Sequence, residues 1–462
     1  MLTFNIETIR VDHEYFSRKA IKSLDIIAVG AGIARLTAGL ALARTGHRVT
    51  ILESVPNLVE AGAGIQIAPN ASRILHGLGV LEEVMEHASV FTNVSIRKSG
   101  CRILTSHAVT AVDPTFLPRA KVENGGTGET IWFQGDVLIA ADGIRSTVRS
   151  QMVIAGGHED RPVPTGDAAY RLLIPKEKIK QDKVLLEMME KDVAVRYMGP
   201  GKHVMTYPLR HNTLYNLVLL HPTGAKKPLG DTQDSWTTKG DRREMIDMYK
   251  EWSPAVRAWL EHADNEVLEW DLYTHPALPT WVQGSVALIG DACHPMLPYV
   301  AQGAANAMED AAVLAAAFTC TSDVQLALGV YERVRKDRAE KIAASAAATR
   351  EVLHLHDGPG QIKRDEAIRN ASRKSGDHPD KWGNQKWQDY MWGIDVVKDT
   401  IEKWDQPVSG SGDSARVAWS VSRVQDKSYG LYVMIKYIAF AVCWWGAIHQ
   451  VKWWFSPALR DL

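Results

Sequence analysis

The 462-residue sequence has few cysteines, almost no net charge and no bilayer-length apolar run before residue 430. Its four cysteines, Cys101, Cys293, Cys320 and Cys443, form no C-x-x-C pair. That argues against a disulfide framework or a zinc site and fits a reducing compartment. A formal net charge of -1 removes any composition-level case for nucleic-acid binding. No G-x-S-x-G, Walker loop or H-E-x-x-H is present, which excludes the hydrolase, P-loop and zincin signatures. The stretch from Met1 to Leu24 lacks the apolar centre of a secretory leader. Glu7, Asp12 and Glu14 disfavour a mitochondrial one, so a cytoplasmic location is expected. With 45% hydrophobic and 23% charged residues, the chain reads as globular and large enough for two or three lobes.

What is present is concentrated in a few segments. The apolar run Val286–Ile289 leads into Gly290-Asp291-Ala292-Cys293-His294-Pro295, and Gln302-Gly303-Ala304-Ala305 then opens an alanine-rich helix. Such a helix start offers free N–H groups and a positive dipole end to an anion, with no bulky side chain in the way. Near the N-terminus, Asp25–Val29 reads as a buried strand, Gly30-Ala31-Gly32 as a turn and Ile33–Thr45 as a helix. Arg48–Leu52 reads as a second strand ending at Glu53. This βαβ start belongs to a doubly wound parallel sheet. Its glycine motif departs from the dinucleotide pattern, because Arg35 stands at the third glycine position. A long side chain forced between helix and strand would cost about 1–3 kcal/mol. Asp136–Gly143 is another buried strand closing on an acidic turn, and the alternating segments between Gly166 and Asp271 read as antiparallel strands. After Asp310 the pattern predicts a helix to about Leu355, broken by Asp357-Gly-Pro-Gly360.

Three segments together carry a family resemblance: Asp25–Glu53 with the following Ala61–Asn70, Asp136–Arg149, and Gly290–Asp310. In this order and spacing the chain resembles the FAD-dependent aromatic monooxygenases of the salicylate hydroxylase type, including fungal polyketide-tailoring hydroxylases. The resemblance implies an α/β fold: a Rossmann-like FAD-binding domain (25–165 and 272–356) with an inserted antiparallel β-sheet substrate domain (166–271). A helical C-terminal segment (357–408) and a linker with a Trp-rich tail (409–462) follow. It implies FAD as bound cofactor, NAD(P)H as transient reductant, and a small aromatic substrate hydroxylated by O₂ activated on the flavin as a hydroperoxide. Gly30 and Gly32 would approach the pyrophosphate, and Glu53 would hold the adenosine ribose. Asp142 would touch the phosphates and the nicotinamide cofactor, and Asp291 the ribityl or pyrophosphate region. Gly303 and Ala304 would turn N–H groups to the flavin, while Gly62, Ala63 and Gly64 would lie along its face. Arg171 would hold a phenolate, with Tyr207 as a hydroxyl partner. The bland readings are an Arg171 paired with a carboxylate, a Tyr207 satisfied in the core and a solvated strand-end Glu53.

Other features fit less well. Between Ile96 and Val137 the chain is short for such proteins, with no counterpart of an Arg-x-x-Leu helix that reaches the flavin. Nine of the 15 tryptophans fall between Trp382 and Trp454, and Gly430–Ile448 is about long enough to touch or cross a membrane. These features keep two alternatives open: a degenerate relative that binds FAD weakly, and a membrane-associated epoxidase of a prenylated compound. No metal is expected. His354-x-His356-Asp357 reads as a solvated helix end, and adjacent Cys293 and His294 are not expected to act as a pair.

Overall fold

The computed structural model describes residues 13–405 other than 31, 58–64, 87–100, 192, 224–236 and 372–377, together with 439–440. Strand β1 (Asp25–Val29) feeds α1 (Ile33–Thr45), and β2 (Arg48–Leu52) returns parallel to β1 with Asp25 opposite Arg48 and Val29 opposite Leu52. Four of the five β1 residues are buried, because helices cover both faces of a parallel sheet. Gly46 ends α1 in the left-handed region, at φ 106°. Helix α1 beds tightly on β2: a Cβ at Gly39 would lie 2.8 Å from Ile51 Cδ1.

After α2 (Pro69–Gly77), β3 (Cys101–Leu104) extends the sheet beyond β2. Strands β4 (His107–Val112), β5 (Arg119–Asn124) and β6 (Thr130–Gln134) then form a separate antiparallel meander. The stretch that reads as a shortened connection therefore carries four strands, and no helix lies among the described residues between Leu104 and Thr147. Strand β7 (Val137–Ala140) pairs parallel with β1 on its other side, and α3 (Thr147–Ala155) follows.

The chain now builds a second sheet from β8 (Val163–Pro175), β9 (Val195–Gly199), β10 (Lys202–Leu209), β11 (Leu214–Pro222), β12 (Thr237–Asp241) and β13 (Glu266–Thr274). Its order is β9-β10-β11-β8-β13-β12, antiparallel throughout. Helices α4 (Lys183–Glu190), α5 (Arg242–Met248) and α6 (Pro254–Glu261) cover one face. There Tyr170, Leu172, Tyr215, Leu217 and Leu219 are buried with Met245, Tyr249 and Trp259. Each such aliphatic side chain contributes about 1.5–3 kcal/mol on burial. The alternate residues Ala169, Val218 and Leu220 join the core of the first lobe instead. A period of two thus gives this sheet a structural face and a face turned toward the first lobe.

The chain re-enters the first sheet as β14 (Val282–Gln283) and β15 (Val286–Leu288), completing the order β14-β15-β7-β1-β2-β3. Helices α7 (Gly303–Cys320) and α8 (Val324–Leu353) replace the single helix that the pattern predicts. Thr321-Ser322-Asp323 separates them, and Asp323 caps α8 by accepting the Leu326 N–H at 3.1 Å. Helices α9 (Pro359–Ala371), α10 (Gln385–Trp392) and α11 (Val396–Glu402) complete the described chain, with α11 packed on α7. No helix among the described residues is long and apolar enough to cross a membrane. Apart from 439–440, the Gly430–Ile448 segment lies outside them.

Candidate functional site

The glycine turn leads from the end of β1 into α1 beside the end of β2. Gly30 takes a φ of 84°, a conformation that favours glycine, and its N–H donates to the Leu52 carbonyl. Glu53 is buried at 8% exposure, and its carboxylate accepts the Val55 N–H and the Ser54 hydroxyl, both at 3.0 Å. The solvated strand-end reading of Glu53 therefore fails. Asp142 accepts the Ser146 hydroxyl at 2.5 Å and the Val148 N–H at 3.3 Å, which fixes the acidic turn ahead of α3.

Arg35 does not wedge between α1 and β1 as its position predicts. Its side chain folds back over the turn, where Nη1 donates to the Val29 carbonyl at 2.6 Å and Nε has no partner. A Cβ at Gly30 would coincide with this guanidinium. Burial lowers the Arg35 pKa to about 10, against the opposing pull of Glu53 and Asp142, so the group stays charged at neutral pH. The glycine turn thus presents a cation where an anion would approach. Gly62, Ala63 and Gly64 lie outside the described residues.

Next to this turn, Gly290 takes a φ of 60°, and a Cβ there would lie 3.1 Å from that of Ala34 and 3.3 Å from that of Ala307. Three elements meet at that point. Asp291 is exposed between buried Gly290 and Ala292. The surrounding protein raises its pKa, which His294 opposes and Asp310 reinforces. Gly303 and Ala304 are half-buried, and no side chain caps the start of α7. Gln302 beside them is 1% exposed, and its Nε2 has no partner. An exposed carboxylate, uncapped helix N–H groups and an orphaned amide donor suit a ligand rich in hydroxyls, carbonyls and negative charge.

Nearly two turns further along α7, Glu309 and Asp310 are wholly buried. Glu309 accepts Arg338 twice at 2.8 Å, Asn70 Nδ2 at 2.7 Å, and Arg335. Asp310 accepts Arg335 Nε at 2.8 Å and the Gly290 N–H at 2.9 Å, and pairs with His294 Nε2 at 2.6 Å. Burial alone would raise the Glu309 carboxyl, but Arg338 and Arg335 outweigh it and hold the pKa at about 2. This network locks α2, α7 and α8 to the Gly290 turn.

Arg171 and Tyr207 lie on the sheet face turned toward the first lobe. Arg171 stands opposite Val218, which stands opposite Met205, and Tyr207 is two residues along β10. The Arg171 guanidinium lies over the Trp270 ring at 5.3 Å, and its Nε has no partner. No carboxylate pairs with it among the described residues, so the ion-pair reading fails. Burial lowers its pKa, opposed by Tyr207; burial also raises Tyr207, opposed by Arg171.

A family model described as an FAD binding domain matches residues 94–346. The FAD-dependent monooxygenase atnJ from Arthrinium sp is 34% identical over 410 residues, covering 81% of this chain and 94% of that protein. The chain belongs to the FAD-dependent monooxygenases. The monooxygenase is also 30% identical to 3-hydroxybenzoate 6-hydroxylase 1 from Aquipseudomonas alcaligenes, over 82% of this chain and 99% of that protein. Its fold matches a salicylate hydroxylase substrate complex with a TM-score of 0.63 and 23% identity, covering 81% of this chain and 96% of that one.

Several residues of the monooxygenase carry more than their sequence context suggests. His354 is buried rather than solvated, because β10 covers it: its Nε2 lies 2.8 Å from His203 Nδ1. Nearby, Asp167 accepts the Tyr299 hydroxyl and Arg350 Nη2, each at 2.6 Å, joining the second sheet to α8 and the segment before α7. Cys293, His294 and Asp310 bring potential ligand atoms within 4.8 Å of one another. Arg335 and the Gly290 N–H already engage Asp310, so the group reads as an ion pair held by a cation. Trp270, Arg335 and Arg338 escaped the sequence reading. The one local signal was Arg335 and Arg338 at i and i+3, which share a helix face.

Proposed function

We propose that this monooxygenase hydroxylates a phenolic or related small aromatic compound with NAD(P)H and O₂. Residues 25–165 and 272–356 form the cofactor unit in this reading, and 166–271 the substrate unit. Gly30 and Gly32 would face the FAD pyrophosphate, with the Arg35 cation beside it and Glu53 on the adenosine ribose. Asp142 would meet the phosphates and the nicotinamide cofactor, and Asp291 the ribityl hydroxyls. The N–H groups of Gly303 and Ala304, with Gln302 Nε2, would meet the flavin pyrimidine edge. Gly62, Ala63 and Gly64 would lie along the ring. Bound FAD supplies the oxygen-activating chemistry.

The chain's own part is orientation and charge. Arg171 would hold the substrate oxygen as phenolate, since a fixed guanidinium lowers a phenol's pKa and sets its rotation. Tyr207, kept protonated by burial, would donate its hydroxyl hydrogen to the same oxygen or a neighbouring one. Trp270 would hold the guanidinium plane. The single observation that carries this reading is Arg171: a partly buried cation with no carboxylate partner among the described residues, on the sheet face turned toward the first lobe. Relatives named for 3-hydroxybenzoate and salicylate support the substrate class. Arg171→Ala should keep the yellow FAD spectrum and lose substrate-triggered NAD(P)H oxidation with phenolic compounds. Unchanged stimulation would remove Arg171 from the site.

A further inference from the structure

Asn216 is 0% exposed, and neither its amide oxygen nor its amide nitrogen has a hydrogen-bond partner. It stands on β11 directly opposite Tyr207 on one side and Leu173 on the other. Directly opposed residues in an antiparallel pair have Cβ atoms about 5 Å apart, and diagonal neighbours about 7–8 Å. Arg171 is such a diagonal neighbour, because Val218 faces it and Asn216 is two residues along. The three polar groups therefore share a patch about the size of one small aromatic molecule. Asn216 and Tyr207 are sealed, with Trp382 packed on the neighbouring cluster of Met205, Tyr207 and Leu209. Accessibility begins at the margin of the patch, where Leu173 is 38% exposed and Arg171 and Val218 are partly buried. On the opposite face of the same strands, Leu172, Leu217 and Tyr215 are sealed.

A carboxamide buried with both functions unmet is costly, and an apolar side chain of similar size would pack there more cheaply. A role in packing alone therefore does not explain Asn216. Its Nδ2 donates and its Oδ1 accepts, so its complement offers an acceptor and a donor side by side. A carboxylate offers acceptors only and leaves Oδ1 unmatched; a phenol hydroxyl donates and accepts through one oxygen and does not present the two functions side by side. We infer that Asn216 is a specificity-determining residue that pairs with an amide-type group on the substrate: a lactam, a 2-pyridone or a carboxamide beside the phenolic carbon. This rests on the reading in which Arg171 holds the phenolic oxygen.

Two matched pairs of probes test it with the FAD-loaded full chain: salicylamide against salicylate, and 4-hydroxy-2-pyridone against resorcinol. Dissociation constants are read from perturbation of the flavin absorbance, alongside substrate-triggered NAD(P)H oxidation. The amide-bearing member of each pair should bind roughly 10–100-fold tighter, since a site built to hydrogen-bond a group rejects analogues lacking it. Asn216→Leu should bring both ratios to about one. Asn216→Asp, nearly isosteric, should also abolish the preference by replacing the donor with an acceptor, and serves if the leucine variant does not fold. Equal binding within both pairs, or a preference that survives both substitutions, overturns the role of Asn216 and leaves the phenol reading standing. If no probe of any class perturbs the flavin or stimulates oxidation, the phenol reading falls and this inference with it.

Discussion

Along α7 every carboxylate oxygen of Glu309 and Asp310 has a partner, whereas on the second sheet Arg171 Nε and both amide atoms of Asn216 have none. Both clusters are polar and largely buried, yet they are finished differently. The first is closed by the chain itself, with two arginines from α8 answering two acids from α7. The second is not closed by the chain; in the proposed reading the substrate closes it. In the proposed reading the contrast separates polar groups that hold the framework together from polar groups kept for the substrate. It also explains why Arg171 rests on an aromatic ring: Trp270 shields the cation without using up its donors.

The largest expected effect tests the closed cluster. Arg335→Ala should lower unfolding stability by about 3–5 kcal/mol, because it removes the buried cation that Glu309 and Asp310 share. Chemical denaturation measures this, and a loss below about 1 kcal/mol would mean that the network is not closed as described. Acid probes the same acids. Glu309 has a folded pKa of about 2 against an ordinary 4.5. Its contribution is present above the unfolded value and is lost as pH falls through the window from about 4.5 to 2. On the order of 3 kcal/mol should disappear there, and Glu309→Gln should flatten that slope.

At the open cluster the balance reverses. Arg171→Ala should cost about 1.5–3 kcal/mol of substrate binding, the worth of a hydrogen bond to a charged group, while leaving the denaturation midpoint unchanged or higher. A large stability loss would place Arg171 in the closed class. The smallest effect belongs to the glycine turn. Arg35→Ala should weaken FAD binding about tenfold, as expected for one contact to an anion worth about 1.4 kcal/mol. Quenching of flavin fluorescence on titration measures it, and tighter binding would show that Arg35 only obstructs the turn.

Much of the first lobe was legible because its signals are local. A strand, a Gly-x-Gly turn, a helix and Glu53 follow one another within about thirty residues, and Gly290–Asp310 is one continuous segment. Register and lobe contacts were not. Asn216 is one asparagine in an apolar strand until β10 and β8 set it beside Tyr207 and Arg171. His354 reads as a solvated helix end until His203, 151 residues earlier, covers it. Arg35 was legible as an anomaly but not in its outcome, since only the fold shows room for its side chain above the turn rather than beneath it.

The sequence by itself determined the fold class, the monooxygenase family and the positions of the glycine turn and the α7 start, because each rests on short-range pattern and on backbone shapes that few residues permit. The tertiary structure alone decided which polar groups are satisfied. A hydrogen bond or a buried ion pair depends on what faces a side chain in space. For Glu309, Asp310, Arg171 and Asn216 that neighbour, or its absence, comes from another strand or helix.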